Sequence, residues 1–580
     1  MKLTTKSVFV LLLAFLTSEA CKKDKKTDTT VVVDTGNGGA TGPITSPTDP
    51  AVAVSQGFFL DSWEGKTFTK PSVQNAAKPG TTSRITVTAD FAQVVSKVSK
   101  NLFGNNMNPF TGQFTDAGLV KNISNLSPNI IRAPGGSLSD VYFYDLPPGG
   151  KPVDVPAQLL KADGSADPNT GYWSGRVTDN WSISLDNYYS LLQKTNSTGI
   201  ITVNYGYARY GLSDHPVETA AHYAAQWVRN DKGRTKLWEV GNENFGNWEA
   251  GYRIDVSKNK DGQPEILTGQ LYGTHFKVFA DSMRKAASEI GAAIKIGIVL
   301  TDVDDQNNSV GVQNWNAGVL AAAGSSPDFF VVHNYYTPYN QNSTPEVILA
   351  TPSAVTTSML TWVNSSIQKA GVAQKPVAMD EWNIFAAGSR QQVSYVNGVH
   401  AVLVLGELIK NQVSMACRWD LANGGSDGND HGLFAYQQNG TVDFTPRPAF
   451  YYLYYFQKYF GDRMISSTVT GNSDIVSYAS SFTSGEACVT LVNKSGTDQV
   501  VNINFKNYYT GASYYYYTLK GGTDNGSYSG KVIINNNGPS GDVGGPSNYA
   551  ALPASSSGTS GGIKVSVPAR GVVFLVCDKK

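Results

Sequence analysis

The chain of 580 residues has only four cysteines and six histidines. So few thiols cannot build the dense disulfide framework of a small secreted fold, and no His-x-x-x-His or Cys-x-x-Cys spacing suggests a zinc site. Charge of one sign is also missing, because 46 Lys and Arg balance 46 Asp and Glu. Without a net field there is little to draw the chain to nucleic acid or an anionic membrane surface, and a neutral ligand fits better. The apolar run at 8–16 is too short to cross a bilayer as a stop-transfer helix. No Gly-x-Gly-x-x-Gly follows an early strand, so an open dinucleotide-binding sheet has no support.

What is present is enough apolar surface, 41% of residues with 11% aromatic, to fill one large domain and at least one smaller one. Residues 1–20 read as a secretion signal, with Lys2 and Lys6 ahead of the apolar run and Ser18-Glu19-Ala20 before Cys21. Cys21 after a small residue resembles a bacterial lipoprotein attachment site, so the expectation is an exported protein anchored by lipid in the cell envelope, or otherwise secreted. Residues 21–54, rich in Lys and Asp and then in Thr, Gly, Pro and Ser, read as a flexible tether. Residues 55–90 are expected to form short strands joining a later sandwich, among them Phe58-Phe59-Leu60.

Between 91 and 461 short apolar runs alternate with helical patterns. The runs lie at 101–104, 130–132, 200–204, 237–243, 294–300, 329–332, 375–381 and 415–419. The clearest helix is expected over 271–290, where Tyr272, Phe276, Phe279, Met283, Ala287 and Ile290 recur every three or four residues. Strands alternating with helices imply parallel βαβ units, and eight of them imply an α/β fold of the (β/α)8 TIM-barrel type. From 462 to 580 the pattern changes to short strands spaced by Gly, Asn and Ser, which predicts a C-terminal all-β sandwich, with 538–562 as a long surface loop. Cys488 and Cys577 both fall on candidate strands there, where an exported protein could join them.

Two runs end in acids. Leu237-Trp238-Glu239-Val240-Gly241-Asn242-Glu243 leaves Glu243 at the mouth of the fourth strand, and Val377-Ala378-Met379-Asp380-Glu381 leaves Glu381 at the mouth of the seventh. Carboxyl ends of strands are where such barrels keep reactive groups. Strands four and seven lie nearly opposite each other, so the two carboxyls can meet across one sugar ring. Glycoside hydrolysis needs such a pair, one protonated and one ionised, with about 5 Å between them for retention and roughly 6.5–9.5 Å for inversion.

Gly241-Asn242-Glu243 and Asp380-Glu381-Trp382-Asn383, with Arg132-Ala133-Pro134-Gly135-Gly136 and His333-Asn334-Tyr335-Tyr336, resemble the clan A retaining glycoside hydrolases. The closest similarity is to the α-L-arabinofuranosidases of glycoside hydrolase family 51 and covers about 102–576. The resemblance implies that Glu243 is the acid/base and Glu381 the nucleophile. It implies that Asn242 bonds the substrate 2-hydroxyl, and that Arg132 with Tyr335 or Tyr336 holds Glu381 ionised. The implied partner is a carbohydrate, with no cofactor or metal. Trp248, Trp382 and Trp419 are candidate faces for sugar C–H surfaces, and His333 a hydrogen-bonding wall. Ala133 and Ser137 depart from the family's usual residues, so β-xyloside, β-glucuronide and galactan-type substrates stay open. A non-catalytic glycan-binding lipoprotein is the alternative of another class. Glu239 reads as a buried carboxylate paired with an Arg, Asp380 as pointing away from Glu381, and 427–432 as a polar loop over the site.

Overall fold

The computed structural model describes residues 43–580 apart from 127–128, 306–310, 386–389, 425–430, 439 and 540. The leader at 1–20, Cys21, the tether up to residue 42 and the loop around Asp427 lie outside the described residues.

Eight parallel strands close into a barrel. They are β1 (Gly104–Asn106), β2 (Ile130–Ala133), β3 (Thr198–Val203), β4 (Leu237–Val240), β5 (Lys295–Val299), β6 (Phe329–Asn334), β7 (Val377–Trp382) and β8 (Met415–Arg418). Each pairs with the next, and β8 closes on β1 with Cys417 opposite Gly104. These strands are covered on both faces, which is why they read as continuous apolar runs. A helix follows each of them. That after β4, Gly269–Glu289, starts where the Thr268 side chain accepts the Leu271 N–H, and it turns Tyr272, Phe276, Phe279 and Met283 to the barrel. β1 is the exception to the apolar pattern. Its sequence is Gly-Asn-Asn, two residues beyond Leu102, because Asn106 is needed inside, donating to the Asp380 carbonyl at 2.8 Å.

Alternation along the strands sorts the interior into layers. Ile130, Ile200, Phe329, Val331, Ala378, Met415 and Cys417 fill the N-terminal half, and Phe59 joins them from below. Phe58-Phe59-Leu60 is thus not a strand. It belongs to a 3-10 turn, Gly57–Leu60, that stoppers the barrel, with the Phe59 ring edge-on to Phe329 at 5.5 Å. Above this floor the inward side chains turn polar.

The C-terminal strands form one eleven-stranded sheet that also takes in Val73–Asn75 and Ile85–Lys97 from before the barrel. Ile85–Lys97 runs beyond residue 90 and pairs with both Arg463–Thr470 and Gln499–Lys506. Two register shifts along it bend the sheet so that it rolls over its own core of Val87, Val489, Leu491, Val501 and Val573. The stretch 538–562 is not only loop, since Ala554–Gly558 pairs with Thr510–Gly521 and with Val73–Asn75. Cys488 and Cys577 are free and buried. Ala487, not Cys488, lies opposite Cys577, so the two thiols point to opposite faces of the sheet and into different cores.

The last part of the expected tether is docked. Asp49 accepts from Arg463 Nε at 2.5 Å and lies 3.3 Å from Lys97 Nζ, which ties the entering chain to the sheet. Helices Tyr395–Lys410 and Pro448–Tyr459 pack the barrel onto the sheet, with Tyr455 and Tyr459 against Tyr517 at 4.7 and 4.8 Å.

Candidate active site

β4 ends at Val240, and the chain then turns sharply at Gly241, whose φ of 77° favours glycine. Glu243 follows in the loop, itself at φ 43°. A non-glycine residue in that region carries strain of order 1–3 kcal/mol, and such strain clusters at functional sites. Here it swings the Glu243 carboxyl back over the barrel mouth.

Arg132, sealed on β2, is the hub. Its Nε donates to Glu239 at 2.7 Å and lies 3.6 Å from Asp380, while the other nitrogens donate to Asn106 (3.0 Å), Glu381 (3.1 Å) and Asn242 (2.9 Å). Glu239 is therefore the structural partner of an Arg, with Thr202 Oγ1 donating to it at 2.8 Å. Burial pushes Glu239 up to about 7 despite that guanidinium.

Asp380 does not point away from Glu381. The pairing of β7 with β8 shifts register between Met379 and Trp382, and such an irregularity sets two successive side chains on one face. Both acids thus face inward, Glu381 to Arg132 and Asp380 to His333. Trp382 is sent outward into the core and is 1% exposed, so it offers no surface to a sugar.

His333 Nδ1 stands 2.9 Å from Glu243 Oε1 and Nε2 3.1 Å from Asp380 Oδ1. A carboxyl group at each end of the ring favours the imidazolium, the form that donates from both nitrogens. Burial opposes that charge, but Glu381, Asp380 and Glu243 outweigh it and hold the pKa well above the ordinary histidine value. Two triads, Glu239, His333 and Asp380, and Glu243, His333 and Glu381, each bring ligand-type atoms within 4.8 Å of one another. All four of these carboxyls already bond to Arg132 or His333, which makes the two triads parts of one hydrogen-bonded network.

Glu381 receives Tyr335 Oη at 2.6 Å on one oxygen and Arg132 at 3.1 Å on the other. Burial and the charge of Glu243 still raise its pKa, against the pull of His333, Arg132 and Tyr335, so the expected lowering is outweighed. Tyr336 takes no part. Beyond the end of β6, at φ 55°, it turns outward, where its hydroxyl meets Thr356 at 2.8 Å and its ring meets His400.

Around the rim, Trp248 is 51% exposed and donates its indole N–H to Glu243 at 3.3 Å. The half-buried Trp419 lies on Gly135 and Gly136, where a Cβ would come within 2.8 and 2.6 Å of its ring. Asn242 is 1% exposed and both ends of its amide are engaged, by Arg132 and by Glu249 at 3.1 Å. The Glu243 side chain keeps 17% of its surface open and Glu381 only 6%.

Asp140 and Glu249 also belong to the site and carry no strand-end signal in the sequence. Asp140 sits in the 3-10 turn Ser137–Val141 and accepts from the Tyr205 and Gly206 N–H groups, both at 2.9 Å. Asp302, beyond β5, accepts from Asn334 Nδ2, and burial pushes it up to about 6.

No protein-family model and no curated protein sequence matches this chain. Solved structures do. An α-L-arabinofuranosidase from Thermotoga maritima in complex with arabinose shares 15% identity at a TM-score of 0.58, over 85% of this chain and 99% of that one. A family 51 α-L-arabinofuranosidase from Bifidobacterium longum shares 14% at 0.58, over 86% and 100%. A glycoside hydrolase family 44 xyloglucanase from Paenibacillus polymyxa shares 13% at 0.53, over 86% and 100%. At these identities the likeness is one of fold, a barrel with a sandwich shared with glycoside hydrolases.

Proposed function

We propose that the chain is a retaining glycoside hydrolase of the α-L-arabinofuranosidase type, acting on plant or algal polysaccharide. The observation that carries the reading is the meeting of Glu243 and Glu381, with oxygens within 4.8 Å, over a barrel mouth. So close an approach favours direct attack by one carboxylate over the roughly 6.5–9.5 Å spacing that leaves room for a water.

In the first step Glu381 attacks the anomeric carbon as the bond to the glycosidic oxygen breaks, and Glu243 gives its proton to the departing oxygen. In the second, Glu243 takes a proton from water, the hydroxide adds to the anomeric carbon and the bond to Glu381 breaks. Arg132 and Tyr335 hold two oxygens where charge comes and goes, at fixed distances before the sugar arrives. The more open Glu243 is suited to meet both the leaving group and water. Trp248 and Trp419 are suited to flank the sugar. The site of action in this reading is the cell envelope, reached through the leader at 1–20 and Cys21.

Glu381→Gly should abolish turnover of aryl glycosides and recover part of it with azide. Undiminished activity in that variant would exclude the assignment. A panel of nitrophenyl glycosides, arabinofuranoside first, decides the sugar: turnover of a β-xyloside or β-glucuronide instead moves the specificity within the clan. Tight glycan binding with no turnover of any of them leaves a binding protein.

A further inference from the structure

Six residues beyond Glu243, on the same loop, Glu249 is 3% exposed. Its Oε1 accepts from Ser137 Oγ at 2.7 Å and from Asn242 Nδ2 at 3.1 Å. None of the described residues donates to its buried Oε2. An ionised carboxyl would leave that oxygen charged, buried and without a donor from the described residues, whereas a protonated one places an uncharged hydroxyl there. Asp140 is the contrasting case. It accepts from Tyr205 N and Gly206 N at 2.9 Å, Asn242 N at 3.2 Å and Asn244 Nδ2 at 2.7 Å, a cradle built for an anion. Burial, Asp140 and Glu243 together push Glu249 well above the ordinary carboxylate value.

From Glu249 an unbroken chain of side chains leads to the nucleophile. Asn242, held by Glu249, accepts from Arg132 at 2.9 Å, and Arg132 donates to Glu381 at 3.1 Å. The titratable groups facing Glu249 are Asp140, from the turn after β2, and Glu243, from its own loop, with Arg132 beyond Asn242. We propose that Glu249 is a positioning residue for Glu381: as an uncharged carboxylic acid it fixes Asn242, and through it the guanidinium that aims the nucleophile, without adding a negative charge beside Glu243. This rests on the glycosidase reading above.

Two variants test it. Glu249→Gln keeps an oxygen for Ser137 and Asn242 and an uncharged N–H where the hydroxyl stands. It should hold kcat/KM within about threefold, with both limbs of the pH profile in place, since at most one neutral hydrogen bond changes. Glu249→Ala should lower kcat by about ten- to a hundredfold through misplacement of the nucleophile. That loss should be equal for dinitrophenyl and nitrophenyl substrates, because Glu243 keeps its role towards the leaving group. A fall of the basic limb by about one unit or more in Glu249→Gln would mean that Glu249 had been acting as a charge on Glu243, and would overturn the proposal. So would full activity in Glu249→Ala. If the alanine variant does not fold, the glutamine profile still decides. Protonation is also read without turnover: the infrared carbonyl stretch of an un-ionised carboxyl at neutral pH should lose one component in Glu249→Gln. Its persistence refutes the uncharged state even if no aryl glycoside is cleaved, a result that would instead count against the glycosidase reading.

Discussion

Tyr335 and Tyr336 are neighbours in sequence with opposite environments. The first donates to Glu381 at 2.6 Å, and the second, at φ 55°, is buried against Thr356 and His400. A phenol hydrogen bond to a carboxylate contributes about 1.5–3 kcal/mol, so Tyr335→Phe should lower kcat/KM roughly 10- to 100-fold. The sign of the pH effect follows from which form is stabilised. Tyr335 favours ionised Glu381, so its loss raises that pKa and moves the acid limb of the kcat/KM profile upward. Tyr336→Phe should cost about 1 kcal/mol in chemical denaturation and leave the limb where it is. Sequence alone brings both tyrosines forward as candidates, because a motif fixes order and not direction. Arg132, Glu243 and Glu381 were legible since each ends or follows an apolar run. Glu249 was not, because an acid in a loop looks like any solvated acid until its burial is known.

The elements divide in the same way. Runs such as 329–332 and 375–381 announce strands because both faces are covered. The register shift between Met379 and Trp382 leaves no mark in the sequence, so simple alternation places Asp380 and Trp382 on the wrong sides. The strand Ala554–Gly558, Ala-Ser-Ser-Ser-Gly, lacks β-branched and aromatic residues and is a strand only because neighbours pair with it. Helix packing is likewise set by partners. Gly398 lies in helix Tyr395–Lys410, and a Cβ there would come within 2.2 Å of the Tyr452 ring on Pro448–Tyr459. Alanine is the better helix former by about 1 kcal/mol, yet overpacking a filled contact costs about 1–3 kcal/mol. Gly398→Ala should therefore be neutral to destabilising by up to about 2 kcal/mol. A clear rise in the denaturation midpoint would show that the two helices separate freely.

With 46 charges of each sign the whole molecule has little self-repulsion near neutrality, so its response to acid is governed by buried groups. Burial lowers His275 to about 4, and lowers His400 and His431 to about 3, with Arg418 adding to the effect on the last two. Between the unfolded value near 6.5 and those folded values, the unfolded chain binds a proton that the folded one does not. Each such group then removes stability as pH falls, about 1.4 kcal/mol per unit. His333 runs the other way. Its raised pKa contributes stability that is present at low pH and is lost as pH rises through that value. His400 isolates one contribution, since its ring meets Tyr336 edge-on at 5.2 Å and its Nε2 makes only a 3.3 Å contact with Thr351. His400→Phe keeps the aromatic contact and removes the titration. From pH 6 to pH 4 wild type should lose about 2–3 kcal/mol more than the variant in paired urea denaturations. Parallel curves would mean that His400 accepts its proton inside the folded barrel, with water or a carboxylate reaching the space between helices Pro345–Ala370 and Tyr395–Lys410.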